Sequence, residues 1–285
     1  MAELESLQKI IRRYSSAVIA FSGGVDSTFL SAVAKSVLGD RLLLVTATSS
    51  TYPIYELELS KESALRLGIE HLIIESEELN ITGFAENTPQ RCFFCKSELF
   101  GKISEIASQR GMDVVFDGSN ADDLCDYRPG MVAKEKFGVV SPLIEAGFTK
   151  EDIRNHSRQM GLPTAGKGSF ACLASRFPYG ESITLQKLQR VGEAEAAIRN
   201  LGFNQFRVRS HGDLARIEID EKELSGAWAR RKEFTKICRK AGYTWVSLDC
   251  EGYRTGAMNE AISVAIDVNV NINPASGGNK NEQNI

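Results

Sequence analysis

Along the first half of the chain, short apolar runs alternate with longer segments in which apolar residues recur every three or four positions. A short apolar run predicts a buried strand, and the wider spacing predicts an amphipathic helix. The predicted strands span residues 17–21, 42–47, 71–74 and 114–116, and the predicted helices span 3–14, 26–37, 55–67 and 92–109. Strands that alternate with helices of this length indicate an α/β fold with a doubly wound parallel sheet.

The pattern changes at residues 165–180, which are rich in Gly, Ser and Pro and therefore predict a loop between two domains. Beyond it, the pattern predicts helices at 185–200 and 221–240 and strands at 205–209, 214–219 and 245–248. This order is typical of a second, smaller α+β domain. We therefore expect one domain at 1–170, another at 171–262, and a disordered tail at 263–285, which has little to bury.

The composition narrows the class of protein. Of 285 residues, 42% are hydrophobic and 25% are charged, as in an ordinary globular protein. The net charge of −3 argues against an obligate nucleic-acid binder, which usually has a strong basic excess. No apolar run approaches the ~20 residues that cross a bilayer, and the N-terminus lacks the features of a secretory signal. We therefore expect a cytoplasmic protein that does not insert into membranes.

The six cysteines do not suggest a disulfide scaffold in a chain of this length. In a reducing compartment such residues are more often buried, metal-binding or catalytic. Two of them form a Cys-x-x-Cys pair on or just before a predicted helix, and the others are scattered along the sequence. The cysteines are Cys92, Cys95, Cys125, Cys172, Cys238 and Cys250.

The most informative segment is the turn at residues 20–28, which reads AFSGGVDST. It follows the first predicted strand and opens a helix. Its two glycines allow a tight turn, its hydroxyl groups can donate hydrogen bonds, and the helix N-terminus adds positive potential. Together these features suit a pyrophosphate. Asp26 would repel phosphate unless it holds a magnesium ion or points away. The alternative is an ordinary turn between a strand and a helix.

This segment resembles the PP-loop of the ATP pyrophosphatase superfamily, whose fold is that of the adenine nucleotide alpha hydrolases. Further segments narrow the resemblance. These are DGSN at 117–120, DYRPG at 126–130, SRFPYG at 175–180 and RVR at 207–209. In this order they look like the LarE family, and the resemblance runs from about residue 7 to about residue 259. Members are ATP-dependent sulfur transferases of nickel-pincer cofactor biosynthesis, and they act on pyridinium-3,5-biscarboxylate mononucleotide.

The resemblance implies that ATP and Mg²⁺ bind at the PP-loop. The residues expected to hold the nucleotide are Ala20, Ser22, Gly23, Gly24, Asp26, Ser27, Thr46 and Gly118, with Asp26 as the magnesium ligand. The enzyme would release AMP and pyrophosphate. Adenylation suits the chemistry, because it turns a carboxylate oxygen into part of a good leaving group that a sulfur nucleophile can displace. The other implied partners are the mononucleotide, a sulfide or another sulfur donor, and further copies of the chain in a homo-oligomer.

The resemblance also gives roles to three cysteines. Cys172 matches the family's sulfur donor, and some members also have the Cys-x-x-Cys pair, here Cys92 and Cys95. Three thiolates are the number that holds a 4Fe-4S cluster with one iron open to sulfide, and thiolates are the usual ligands of such clusters. We favour the cluster. The alternatives are a persulfide relay or redox pair, structural zinc, a plain core pair, and a reaction in which Cys172 gives up its own sulfur and becomes dehydroalanine.

Four further residues have implied roles in the family. Arg207 and Arg209 lie on one face of a predicted strand and would clamp the substrate phosphate. Lys96, next to the Cys-x-x-Cys pair, would neutralise phosphate or lower a thiol pKa, and Glu195 matches an active-site acid. Each could also be a surface residue with no such role.

Three other functions are each compatible with part of the sequence. A tRNA thiolase shares the PP-loop, but it would need a basic surface for RNA. An amide-forming synthetase of the NAD or GMP type has no use for three cysteines. A non-catalytic nucleotide-binding or redox-sensing module would not need an intact PP-loop. AMP formation separates an enzyme from such a module, and RNA binding would identify the thiolase.

Overall fold

The computed structural model describes residues 2–125, 130–168, 171–254 and 256–257. Its first half alternates helices and strands as the apolar pattern predicts, and only the ends of the elements differ. The helices are α1 (Leu4–Ile11), α2 (Val25–Leu38), α3 (Ile54–Leu67) and α4 (Arg91–Gln109), and the strands are β1 (Ala17–Ala20), β2 (Leu42–Thr48), β3 (Glu70–Glu75) and β4 (Val114–Phe116).

Among the described residues, these strands form a four-stranded sheet in the order β3-β2-β1-β4. All three pairings are parallel, and Ala17 of β1 lies opposite Leu42 of β2 and Val114 of β4. Apolar side chains cover both faces of the sheet, Phe29 of α2 on one and Ile103 of α4 on the other. The sheet is thus doubly wound, and the phosphate loop follows β1 at its carboxyl edge, where such folds bind ligands.

Three helices between β4 and residue 165 are absent from the sequence-based prediction. They are α5 (Gly130–Lys136), α6 (Pro142–Glu145) and α7 (Lys150–Gln159). The last has a capping box, in which Thr149 and Asp152 satisfy each other's backbone amides. That pair of residues was a signal that could have located α7. The DYRPG segment lies mostly outside the described residues, because residues 126–129 are not described.

The second half contains α8 (Leu185–Asn200), β5 (Phe206–His211), β6 (Leu214–Ile219), α9 (Leu224–Ala229), α10 (Arg231–Lys240) and β7 (Trp245–Leu248). The predicted single helix at 221–240 is in fact a 3-10 turn followed by two helices that meet at Arg230. Among the described residues, β5, β6 and β7 form a second sheet, antiparallel between β5 and β6 and parallel between β6 and β7. This α+β arrangement agrees with the sequence pattern.

The loop at 165–180 connects the two halves of the chain and also contributes buried side chains. Leu173, Ala174 and Phe177 are buried in the same apolar cluster as α8 and the second sheet. Residues up to Tyr253 form one compact unit, and a second unit begins at Arg254. The division of the chain at residue 170 stays a prediction. The predicted disordered tail, 263–285, lies outside the described residues.

Candidate active site

The predicted phosphate loop, residues 22–27, comprises the turn between β1 and α2 and the first residues of α2. Gly24 is the N-cap of α2, and its amide donates to Oγ of Ser22 at 3.3 Å. The hydroxyl of Ser27 lies 3.1 Å from the hydroxyl of Ser22 and also accepts a hydrogen bond from the Ser22 amide at 3.3 Å. The loop therefore curls over the first turn of α2, where the free amides of the helix favour an anion.

Glycine is required at two points of this site. Gly23 has a φ of +62°, and a Cβ there would lie 2.7 Å from Cα of Ser60 on α3. A Cβ on Gly118 would lie 3.0 Å from the amide nitrogen of Ser27. The phosphate loop is thus packed between α3 and the segment that follows β4. The predicted residue Gly118 does lie at the loop, whereas Ala20 ends β1 immediately before it.

Asp26 lies in the first turn of α2 and pairs with Lys150, the first residue of α7, at 2.5 Å. Its other oxygen, Oδ1, is buried and has no hydrogen-bond partner among the described residues. Burial raises the pKa of Asp26 against the opposing effect of Lys150. A carboxylate oxygen of this kind is a suitable Mg²⁺ ligand. Lys150, which the sequence analysis did not single out, is a cation beside the predicted phosphate site.

Thr46 lies on β2, where its hydroxyl is already engaged within the sheet. It donates to the carbonyl of Phe21 at 2.6 Å and lies 2.7 Å from Nε2 of His71. The residue is almost fully buried. Its predicted place beside the adenosine stays a prediction.

The cysteine cluster (Cys92, Cys95 and Cys172) is formed by the start of α4 and by the loop after residue 170. Cys95 donates its thiol hydrogen to Oε1 of Glu78 at 2.9 Å. Burial and the neighbouring Glu78 raise the pKa of Cys95 well above its usual range. Glu78 was not predicted as a site residue. It is nearly buried in a short 3-10 turn, where it also accepts hydrogen bonds from hydroxyl groups after β2.

The other two thiols lie near a buried arginine. Burial raises the pKa of Cys172, whereas the charge of Arg91 opposes this effect. Arg91 interacts with both Cys92 and Cys172, which raise its own pKa against the effect of burial. Its guanidinium is held by Asn87 and by the carbonyl of Ala174 at 2.8 Å. The fold therefore brings the three predicted cysteines into one neighbourhood.

The donor set of the cysteine cluster suits iron, since thiolates hold iron–sulfur clusters. In the described part of the chain, however, no group of three or more His, Cys, Asp or Glu side chains is placed to hold a metal ion. The predicted 4Fe-4S cluster and the predicted Mg²⁺ site therefore stay predictions.

The segment after β2 connects the cysteine cluster to the phosphate loop. Tyr52 donates its hydroxyl hydrogen to the Ser22 carbonyl at 2.8 Å, and the carbonyl of Thr51 accepts from the amide of Leu173 at 2.9 Å. Thr51 also donates to Glu78 at 2.6 Å. This segment therefore contacts the phosphate loop, the residue that follows Cys172, and the partner of Cys95.

Glu195, a predicted active-site acid, forms a buried ion pair with Arg176. Nε and Nη2 of Arg176 donate to its two oxygens at 2.7 and 2.9 Å, and the amide of Val208 donates at 3.0 Å. Burial acts to raise the pKa of Glu195, but Arg176 outweighs it and holds the pKa below its usual range. Both oxygens are thus engaged within the protein, and a catalytic role stays a prediction.

Arg207 and Arg209 share one face of β5, as predicted, but both are buried. Arg209 pairs with Glu218 at 2.7 Å and donates to the Ser175 carbonyl at 3.0 Å. Arg207 lies 4.9 Å from the ring centre of Tyr253. Burial and then the nearby charge of Arg176 lower the pKa of Arg207. Their clustering suits an anion, and the contact with substrate phosphate stays a prediction.

Lys96 lies one helical turn from Cys92 and packs on α5. A Cβ on Gly130 would lie 2.4 Å from its Cδ. Its charge acts on the buried amine of Lys134, whose pKa is lowered mainly by burial. Lys134 in turn pairs with Asp117, at the end of β4, at 3.2 Å. Lys96 therefore stands between the cysteine cluster and the carboxyl end of β4.

Comparison with known proteins agrees with the α/β fold and with the phosphate loop. The chain is 27% identical over 164 residues to a component of the glutamine-hydrolyzing GMP synthase from Thermoplasma volcanium, a match that covers 52% of each chain. This match agrees with the parallel sheet and the phosphate loop, which together define a PP-loop α/β fold.

Two other relatives match over nearly the whole chain. One is an uncharacterized protein, slr1717, from Synechocystis, which is 41% identical over 92% of this chain and 98% of its own. The other is the pyridinium-3,5-bisthiocarboxylic acid mononucleotide synthase of Lactiplantibacillus plantarum, 33% identical over 93% of this chain and 94% of its own. The chain belongs to the LarE family of such synthases. No protein-family model matches it. Among the described residues, no helix is long and apolar enough to cross a membrane.

Proposed function

We propose that this protein is an ATP-dependent sulfurtransferase that converts pyridinium-3,5-biscarboxylate mononucleotide into its thiocarboxylate. The proposal rests on membership of the LarE family and on one structural observation. The segment after β2 bonds both to the phosphate loop, through Tyr52, and to the residue after Cys172, through Thr51. An activated carboxylate formed at the loop would therefore lie near the cysteines that are proposed to hold the sulfur source.

The first half of the reaction is adenylation. A carboxylate oxygen of the substrate attacks the α-phosphorus of ATP, and pyrophosphate leaves. The amides at the start of α2 and the hydroxyls of Ser22 and Ser27 bind the phosphates, and Asp26 would hold Mg²⁺. The charge of Lys150, close to Asp26, offsets the negative charge that develops on the leaving pyrophosphate.

The second half is the transfer of sulfur. A sulfur nucleophile adds to the carbonyl carbon of the adenylate, and the C–O bond to AMP breaks as AMP leaves with its electron pair. We propose that Cys92, Cys95 and Cys172 hold a 4Fe-4S cluster, which when bound would supply an iron open to sulfide. Buried Arg207 and Arg209 would bind the phosphate of the mononucleotide. Lys96 would neutralise charge beside the cysteines.

Anaerobic purification followed by iron and sulfide analysis, with a visible spectrum, tests the sulfur source directly. We expect brown, oxygen-sensitive protein with about four irons per chain, and more than one turnover when sulfide is supplied. Cys92→Ala, Cys95→Ala and Cys172→Ala should each lose iron. Cys250→Ala is the matched control, because Cys250 is exposed and outside the cysteine cluster, and it should retain iron.

Two other outcomes would change the assignment. Colourless protein that stops after one sulfur per chain, with dehydroalanine at position 172, would make Cys172 a sacrificial donor. In that reaction the thiol attacks the adenylate to give a thioester, and loss of the Cα proton then breaks the Cβ–S bond. Failure to form AMP from ATP and the dicarboxylate would contradict the proposed function itself.

A further inference from the structure

A buried polar face lies under the phosphate loop. Tyr52, Glu56 and Ser60 are spaced four residues apart at the start of α3 and just before it, so they lie on one side. The hydroxyl of Tyr52 donates to the Ser22 carbonyl at 2.8 Å, and Ser60 packs directly against Gly23. Glu56 is a carboxylate in this face that the adenylation scheme does not use.

Glu56 pairs with a lysine that also contacts the phosphate loop. Nζ of Lys167 lies 2.5 Å from Oε2 of Glu56 and donates to the Gly23 carbonyl at 3.0 Å. The two side chains are only 15% and 4% exposed. A buried ion pair is a poor source of stability, because the cost of removing both charges from water offsets their attraction. Stability therefore does not account for the pair of Lys167 and Glu56.

The backbone of Lys167 is itself fixed in place. Arg154 on α7 donates one hydrogen bond to the carbonyl of Ala165 and another to the carbonyl of Lys167, both at 2.8 Å. The lysine is therefore held at its backbone by α7 and at its amine by α3. Both the backbone and the amine of Lys167 are thus fixed where the amine contacts the phosphate loop.

The contacts of Tyr52 and Lys167 orient two successive peptide groups. In a trans peptide the C=O of one residue and the N–H of the next point in opposite directions. A Ser22 carbonyl held by Tyr52 therefore directs the Gly23 amide away from α3. A Gly23 carbonyl held by Lys167 likewise points away from the Gly24 amide, which donates to Oγ of Ser22 at 3.3 Å. A phosphate is repelled by carbonyl dipoles that face it, so both carbonyls must be turned away from it.

We propose that Lys167 is a positioning residue for ATP: neutralised by Glu56, it holds the Gly23 carbonyl turned away from the phosphates. The inference rests on the proposed function only in that the phosphate loop binds ATP. Lys167 acts by hydrogen bonding and not by its charge, because the paired carboxylate of Glu56 cancels most of the field that the amine would exert on a phosphate.

The test is ATP affinity, measured by calorimetry without the mononucleotide, alongside the free energy of unfolding in urea. The variants are Lys167→Met, Glu56→Gln and the double variant. Lys167→Met removes the donor and should weaken ATP binding at least about tenfold, the scale of one hydrogen bond to a charged group. Glu56→Gln keeps the lysine as donor to Gly23 and removes the carboxylate that cancels its charge, so this variant should bind ATP at least as tightly as the unchanged protein.

The double variant separates positioning from stability. It removes both charges, so no buried charge is left alone, and its unfolding free energy should recover relative to Lys167→Met. It still lacks the donor to Gly23, and its ATP binding should therefore remain weak. Recovery of ATP binding together with stability would overturn the proposal. Weaker ATP binding in Glu56→Gln would also overturn it, since that variant keeps the donor to Gly23.

The matched control is Lys61→Met. Lys61 lies on α3 and pairs with Glu58, but this pair is exposed, and its loss should leave ATP affinity unchanged. The experiment also separates this inference from the proposed function. An unchanged protein that binds no ATP would contradict the function, whereas equal ATP binding by the unchanged protein and by Lys167→Met would contradict only the role of Lys167.

Discussion

Arg176 and Glu195 form a two-bonded ion pair, at 2.7 and 2.9 Å, in which the arginine is 1% and the glutamate 4% exposed. The pair joins the loop that contains Cys172 to α8. The guanidinium also donates to the Cys172 carbonyl at 3.3 Å. The pair therefore fixes the backbone of the cysteine loop, and its loss should be visible in stability before it is visible in chemistry.

Glu195→Ala should lower the free energy of unfolding by about 3–5 kcal/mol, because it leaves the guanidinium of Arg176 buried without its carboxylate. Urea unfolding measures the change. Glu193→Ala is the control on the same helix, where the glutamate is exposed, and it should have little effect. A loss of activity in Glu195→Ala with unchanged stability would instead favour a purely catalytic acid.

The same pair predicts a dependence of stability on pH. The pKa of Glu195 is lower in the folded chain than in the unfolded chain, where a glutamate titrates near 4.3. The unfolded state therefore takes up its proton first as the pH falls. The contribution of the pair is fully present above about pH 4.3 and is lost below it, as the pH falls through the folded pKa.

Unfolding free energies of the unchanged protein and of Glu195→Gln, compared from neutral to acid pH, check this sign. The difference between the two proteins should be constant near neutrality and shrink in acid. A difference that grows toward acid would mean that folding raises the pKa of Glu195.

Gly23→Ala should abolish ATP turnover and destabilise the chain, because its Cβ would lie 2.7 Å from Cα of Ser60 in a backbone at φ +62°. Gly39→Ala is the matched control. Gly39 has a φ of +63°, but a Cβ there meets no atom within 4 Å. Each variant should lose about 1–3 kcal/mol to backbone strain, and AMP release should fail in Gly23→Ala alone. Normal turnover in Gly23→Ala would contradict the packing described.

Asp26→Asn should reduce AMP and pyrophosphate production sharply, since an amide is a poorer Mg²⁺ ligand than a carboxylate. The partly exposed pair with Lys150 should contribute only about 0–1 kcal/mol to folding. Asp40→Asn removes another lysine-paired aspartate and should leave AMP production unchanged. Adenylation at an unchanged rate in Asp26→Asn would remove this residue from the mechanism.

Arg207→Ala and Arg209→Ala should each weaken mononucleotide binding by about 1.5–3 kcal/mol, the scale of a hydrogen bond to a charged group. ATP affinity should barely change. Arg209→Ala should also reduce stability, because Arg209 is a buried partner of Glu218. Arg216→Ala removes the more exposed partner of the same glutamate and should leave mononucleotide binding intact. Equal losses for ATP and mononucleotide would place the arginines on the nucleotide side.

The α/β class and the position of the phosphate loop follow from local patterns of residues. Apolar runs such as 42–47 are a local signal of a buried strand, and two glycines between a strand and a helix are a local signal of an anion site. The family could also be assigned, because its motifs are short and keep their order. Helix α7 was missed because it is strongly polar, although the Thr149–Asp152 capping box marks its start.

The contacts between distant side chains could be found only from the folded chain. Lys167 lies 144 positions from Gly23 and Lys150 lies 124 positions from Asp26, and no local pattern relates residues that far apart. The burial of charged side chains is equally invisible along the chain. The two-residue spacing in β5 gave Arg207 and Arg209 a shared face, but the packing of neighbouring elements decided that this face is inside. Side-chain partners depend on the folded arrangement of all the elements, whereas strands, helices and turns depend mainly on neighbours in sequence.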